Sequence, residues 1–205
     1  MNHLKKTVPV GALVIALMAT VGVGSAAAEQ STFCKANETP CGSGNHYPSG
    51  STFVLKSKGP FRWVSYILGS VQIRKFECQE GEFKGQTSTT GGSAQTVEVA
   101  FKEQFIFACG GPITTNQLMK MKFAWTSGTM NGSALTSGLD YTFDGTGGPC
   151  RYNGEVKGTL TGGNPAVLDF NEVPVTVSGS GCGTTATFDG EFEVSTPKPL
   201  YVSNG

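Results

Sequence analysis

From residue 52 onward the chain alternates apolar and polar side chains with a period of two, and this constrains its fold more than any other feature. Successive strand side chains point to opposite faces, so a period of two marks strands with one buried face. Val97, Val99, Phe101, Phe105 and Phe107 share one parity against Glu98, Lys102 and Gln104, as in a long amphipathic strand or a hairpin turning near Glu103. Met119, Met121, Phe123 and Trp125 oppose Lys120 and Lys122, which assigns Trp125 to the core. Tyr152, Val156 and Leu160 oppose Arg151, Glu155 and Lys157, and Ala186, Phe188, Phe192 and Val194 oppose Asp189, Glu191 and Glu193. Val173, Val175 and Val177 alternate with Pro174 and Thr176, and the proline predicts an edge strand because it has no N–H to give to a ladder. Val71 and Ile73 change parity to Phe76 and Cys78 across Arg74-Lys75, which predicts a bulge.

Turn chemistry separates these runs: Thr90-Gly91-Gly92, Gly110-Gly111-Pro112, Asn131-Gly132, Asp144-Gly145, Gly147-Gly148-Pro149, Gly162-Gly163-Asn164-Pro165 and Ser178-Gly179-Ser180-Gly181. Residues 60–70 read equally as strand or as one or two helical turns. Many short one-faced strands predict an all-β fold. The expected form is an antiparallel β-sandwich of about ten strands, immunoglobulin-like or a related Greek key. Two small stapled sandwiches side by side are the alternative.

All six cysteines follow residue 30: Cys34, Cys41, Cys78, Cys109, Cys150 and Cys182. An even number in an exported chain reads as disulfides, and six allow 15 pairings. An internal echo narrows the choice. Gly81-Glu82-Phe83-Lys84-Gly85 matches Gly154-Glu155-Val156-Lys157-Gly158 at four of five positions. A cysteine precedes each pentapeptide, and Cys109-Gly110 and Cys182-Gly183 each follow 28 residues after its first glycine. The echo reads as an internal duplication, with related halves at about 71–110 and 145–183. One staple per unit gives Cys78–Cys109 and Cys150–Cys182, leaving Cys34–Cys41 to close a small loop. The shortest cysteine spacing has six residues between partners, too wide for the close pairs of a structural zinc site, so no metal is expected.

Lys5 and Lys6 precede an apolar run from Val8 to about Val23, followed by Ala26-Ala27-Ala28. Charged start, apolar middle and A-x-A site are the parts of an export signal, so residues 1–28 are expected to be cleaved after Ala28 and the protein to be extracellular. Residues 29–50 are polar and turn-rich and read as an N-terminal arm before a single domain at 51–205. Without Lys5 and Lys6, 13 basic residues face 15 acidic ones, a net charge of −2. No basic patch points to nucleic acid.

Function classes narrow by what chemistry needs. Of the two histidines, His3 lies in the leader, leaving His46 in a loop-like stretch without a visible orienting partner. Oxidised cysteines offer no thiol nucleophile. Asp140, Asp144, Asp169 and Glu172 lie near strand ends or turns and are the carboxylates a glycosidase-type hydrolase would use. No cofactor motif is present. Glu82 and Lys84 share a strand face, as do Glu155 and Lys157, which reads as surface charge pairing. Trp63, Tyr66 and Tyr201 are the aromatic candidates for a binding site.

The closing segment, Gly183-Thr-Thr-Ala-Thr-Phe-Asp-Gly-Glu-Phe-Glu-Val-Ser-Thr-Pro-Lys-Pro-Leu-Tyr-Val, resembles the end of small exported proteins of high-GC Gram-positive bacteria. Those are uncharacterised Cys-, Gly- and Thr-rich β proteins with a T-P-x-P-L-Y-V tail, here Thr196 to Val202. The resemblance spans about 150–203. It implies export and a β fold, and it carries over no functional residue. The expected function is a non-catalytic extracellular binding or structural role at the cell wall or surface, with a polysaccharide or surface protein as partner. The alternatives are a carboxylate-dependent secreted hydrolase and a secreted inhibitor or small-ligand carrier.

Overall fold

The computed structural model describes residues 30–89, 91 and 96–205; the leader over 1–28, its cut after Ala28 and part of the Thr90–Gly92 turn lie outside them. The described residues form strands and no helix: β1 (Ser31–Cys34), β2 (Thr52–Ser57), β3 (Phe61–Ile67), β4 (Val71–Thr87), β5 (Val97–Cys109), β6 (Ile113–Thr115), β7 (Lys120–Trp125), β8 (Gly132–Phe143), β9 (Cys150–Thr161), β10 (Ala166–Ser178), β11 (Thr185–Thr196) and β12 (Tyr201–Asn204). Ten strands make one antiparallel sheet, and β1 with β12 make a second. The 60–70 segment is strand β3 followed by a turn.

The large sheet closes on itself. β2 and β3 act as one strand broken at Lys58-Gly59-Pro60, lying between β4 and β11. Lys56 pairs Glu82 and Phe61 pairs Cys78 on one side, while Ser57 pairs Phe192 and Arg62 pairs Asp189 on the other. β6 and β7 likewise share β8. Neighbours then run β2/β3, β4, β5, β6/β7, β8, β9, β10, β11, and β11 returns to β2/β3. The result is sandwich-like, two broad faces across one core. Each strand pairs the next in chain order, so the connections are a meander, where an immunoglobulin-like or Greek-key order was expected. Short turns between successive runs favour neighbour pairing.

Closure also corrects the reading of Pro174. Its strand is hydrogen-bonded on both sides, so it is not an edge. The proline sits instead where the β9–β10 register breaks between Asp169 and Thr176, a gap in the ladder that needs no N–H. The bulge expected near Arg74-Lys75 falls at Ile73, where Ser65 pairs Arg74 and Tyr66 pairs Gln72.

The two echoing pentapeptides lie on β4 and β9, four positions apart in the ring of eight, hence on opposite sides. In each half a disulfide joins the first strand of a hairpin to the end of, or just past, the second: Cys78–Cys109 and Cys150–Cys182. The third is Cys34–Cys41. No cysteine among the described residues is free, which suits an oxidising environment. Among the described residues no helix is long and apolar enough to cross a membrane. The last glycine of each pentapeptide is held by space: a Cβ on Gly85 would stand 2.4 Å from the Ala100 carbonyl oxygen, and one on Gly158 would stand 2.8 Å from that of Asp169.

The core is largely aromatic. Trp63 meets Tyr141, Phe143 and Phe188, and Phe61, Phe83, Phe170 and Phe192 continue the cluster. One end of the barrel carries the Cys150–Cys182 disulfide and the clamp of Arg74, whose guanidinium donates to the carbonyls of Gly181 and Gly148. The arm closes the other end. Ser31 to Cys34 are buried, and Phe33 packs on Phe53 and Phe123 at 5.7 and 5.1 Å. Tyr47 donates to the Pro199 carbonyl at 2.6 Å. What composition marks as a polar arm is therefore a plug, paired strand to strand with the C-terminal segment.

Candidate functional site

The sequence candidates do not gather into one site. Trp63 is 1% exposed inside the barrel and cannot meet an external ligand, a correction to its reading as a site residue. Its inward parity with Phe61 and Ser65 explains why. Tyr66 is half-buried in a groove with Arg62, Gln72, Lys75 and Glu172. Tyr201 is half-buried against Gly162 at the arm end, far from Tyr66 along the barrel. Trp125 packs partly buried against the core, its indole N–H donating to the Thr129 carbonyl at 2.7 Å. His46 donates from Nε2 to the Cys41 carbonyl at 2.9 Å, a structural role inside the arm.

The carboxylates are similarly dispersed. Asp140 is nearly buried and gripped by Arg151, with Nε–Oδ1 at 2.7 Å and Nη2–Oδ2 at 2.5 Å, while Asn116 donates to Oδ1 at 2.9 Å. Asp169 and Glu172 line different grooves. Hydrogen bonding to Arg151 holds the Asp140 carboxyl below its ordinary range. A depressed folded-state pKa adds stability above the unfolded pKa, and that stability is lost as pH falls through the folded one. Unfolding free energy is therefore expected to drop as pH falls from the ordinary aspartate range downward. Asp140→Asn should flatten that part of the profile in urea titrations at stepped pH. Glu38, Glu77 and Glu82 are also shifted down, by hydrogen bonds to Asn45, Lys75 and Lys84 respectively. These carboxylates are held as acceptors, the opposite of what a general acid needs. Cys34, Glu38 and Cys41 place possible ligand atoms within 4.8 Å, but both sulfurs belong to a disulfide and are not thiolates.

The residues that do converge lie on the apolar parity of β5. On β5, Val97, Val99 and Phe101 point inward, as expected. The ladder with β4 then shifts: Phe101 pairs Gly85 and Glu103 pairs Lys84, leaving Lys102 as the extra residue of a bulge. One extra residue inverts every side chain beyond it. Ile106 and Gln104 turn toward the barrel, and Phe105 and Phe107 face outward, 40% and 52% exposed. Their rings are parallel within 2°, with centroids 6.3 Å apart. The strand runs on without a hairpin at Glu103, and the parity these two phenylalanines share with Val97, Val99 and Phe101 is broken by a single bulge.

Around them the surface is polar and ordered. Glu82 and Glu80 pair across the ladder with Phe105 and Phe107. Glu82 bridges Lys84 at 2.6 Å and Lys56 at 2.9 Å, and the Lys84 ammonium lies over the Phe105 ring, 5.3 Å from its centroid. The ion pair lowers the Glu82 pKa and raises that of Lys84, so both stay charged. A groove of about 660 Å³ runs over this face, lined by Lys56, Lys58, Gln79, Glu80, Phe105 and Phe107 among others. The equivalent face of the second half keeps Glu155 and Lys157 but has no matching ring pair. The enclosed space inside the barrel measures about 20 Å³.

No family model, curated protein or solved structure matches the chain.

Proposed function

We propose that this protein is an exported, non-catalytic binding module that recognises an extracellular polysaccharide at the cell wall or surface through the β2–β4–β5 groove. The observation that carries the reading is the outward pair Phe105 and Phe107. Two large apolar rings side by side, 40% and 52% exposed, leave apolar surface in solvent, and exposed apolar patches mark interaction sites. The polar apparatus suits a sugar chain: C–H faces pack on the rings, while hydroxyls meet the fixed ammonium and carboxylate groups of Lys56, Lys84 and Glu82. Export is supported by the leader pattern with its cut after Ala28 and by the three disulfides. Of the candidate acids, Asp140 is clamped by Arg151, and Asp169 and Glu172 line different grooves, which argues against the hydrolase. A 20 Å³ interior is far below the roughly 300–1,000 Å³ of a small-molecule site, which argues against the carrier.

The experiment is co-sedimentation of purified, oxidised protein with native cell walls and insoluble polysaccharides over a salt series. Saturable binding to a polymer supports the reading; no binding to any of them contradicts it.

A second reading, a secreted inhibitor, is favoured by the β3–β4 hairpin. Its connection, Leu68-Gly69-Ser70 between the paired Ile67 and Val71, has positive φ at both Leu68 and Gly69, 53° and 74°, and Leu68 is 87% exposed. Positive φ outside glycine favours Asn, so a leucine there carries backbone strain and exposed apolar surface together. Leu68→Asn is expected to raise the melting temperature, by a few degrees for about 1 kcal/mol. An inhibitor reading requires the same change to abolish activity against a target protease; unchanged wall binding in that variant leaves the groove as the site.

A further inference from the structure

We propose that the barrel centre holds an ordered water molecule, bridging the indole N–H of Trp63 and the hydroxyl of Thr136. Trp63 comes from β3 and Thr136 from β8, strands four positions apart in the ring and therefore facing across the core. Both residues are 1% exposed and line the same enclosed space, with Leu55, Met121, Tyr141 and Val156 among the other walls. Among the described residues, neither Trp63 Nε1 nor Thr136 Oγ1 has a hydrogen-bond partner.

An indole N–H only donates, so it needs an acceptor, and a buried donor without one is costly. The other lining side chains are apolar except Tyr141, whose hydroxyl is already committed to Gln104 Oε1. The apolar walls exclude an ion, which would carry a large desolvation penalty. Size settles the class of occupant. The space of about 20 Å³ exceeds the roughly 10–15 Å³ that one water needs and cannot hold an organic ligand. A water accepts from Trp63 and exchanges a hydrogen bond with Thr136, so each orphan satisfies the other's requirement through one molecule.

The test uses water-selective NOE and ROE spectra of the ¹⁵N-labelled protein together with urea unfolding of Thr136 variants. The bridge requires a cross-peak between the Trp63 indole N–H and water, with NOE and ROE of opposite sign, as a long-lived water gives. It also requires Thr136→Val to lower the urea midpoint and Thr136→Ser to preserve both midpoint and cross-peak. Absence of the cross-peak in the unsubstituted protein overturns the proposal. So does a Thr136→Val variant as stable as the parent or more so, since a valine methyl in a dry site removes an unpaired hydroxyl at almost constant volume.

Discussion

Replacing both Phe105 and Phe107 with alanine is expected to weaken polymer binding by at least about tenfold while lowering thermal stability much less than a core truncation does. The two effects separate because the rings lie outside the barrel. Truncating a core phenylalanine costs about 3–5 kcal/mol, whereas rings 40% and 52% exposed bury only about half of their surface. Anchoring aromatic residues at a binding surface commonly cost 2 kcal/mol or more on truncation, which is more than tenfold in affinity. Lys84→Ala should give a smaller loss, since it removes the ammonium over Phe105 but leaves both rings. Lys157→Ala, at the echoing position on the opposite side of the ring, should leave binding intact and so controls for nonspecific charge. Equal binding by the double alanine variant and the parent, read in the same co-sedimentation assay, removes the groove from the account.

The largest stability effect is expected at the plug. Phe33→Ala should cost about 3–5 kcal/mol in urea unfolding, although residue 33 lies in a segment whose composition reads as a polar arm. Its ring is 1% exposed, between Phe53 and Phe123. The loss cannot be relieved by collapse, because β1 is fixed to β12 by its ladder and to the Cys34–Cys41 loop by the disulfide. Ser31 Oγ also accepts from the Trp125 backbone N–H at 2.8 Å, tying the plug to β7. A cost below about 1 kcal/mol would mean that the arm decorates the barrel without sealing it.

Much of the fold was legible because period two survives wherever a strand runs unbroken. Tyr152, Val156 and Leu160 on β9 and Ala186, Phe188, Phe192 and Val194 on β11 all face inward as their spacing implies. The echoing pentapeptides pointed to one disulfide per half, and the two hairpins carry them. What periodicity could not carry was the effect of a single inserted residue. Lys102 inverts β5, so Phe105 and Phe107 have the parity of a core strand and the environment of a surface. Ring closure was hidden too, because pairing between the first and last strands of a meander leaves no local signal, and without it Pro174 reads as an edge residue. Trp63, Tyr66 and Tyr201 were selected for chemistry alone; parity would have placed Trp63 inside, beside Phe61. The plug was hidden by its turns, whose glycines, prolines and asparagines outweigh the short apolar step at Phe33. One signal for the groove was present: the Glu82–Lys84 pair sits directly across from the inverted phenylalanines, and only the register of β4 against β5 brings them together.

The most direct test is a ¹H–¹⁵N titration of the labelled, oxidised protein with soluble oligosaccharides cut from whichever polymer it co-sediments with. The account predicts that shift changes concentrate on β2, β4 and β5, at Lys56, Glu82, Lys84, Phe105 and Phe107, and saturate along one binding curve. Changes centred on the Ile67–Val71 turn, or on the arm end around Tyr201, with the groove unmoved, would contradict it.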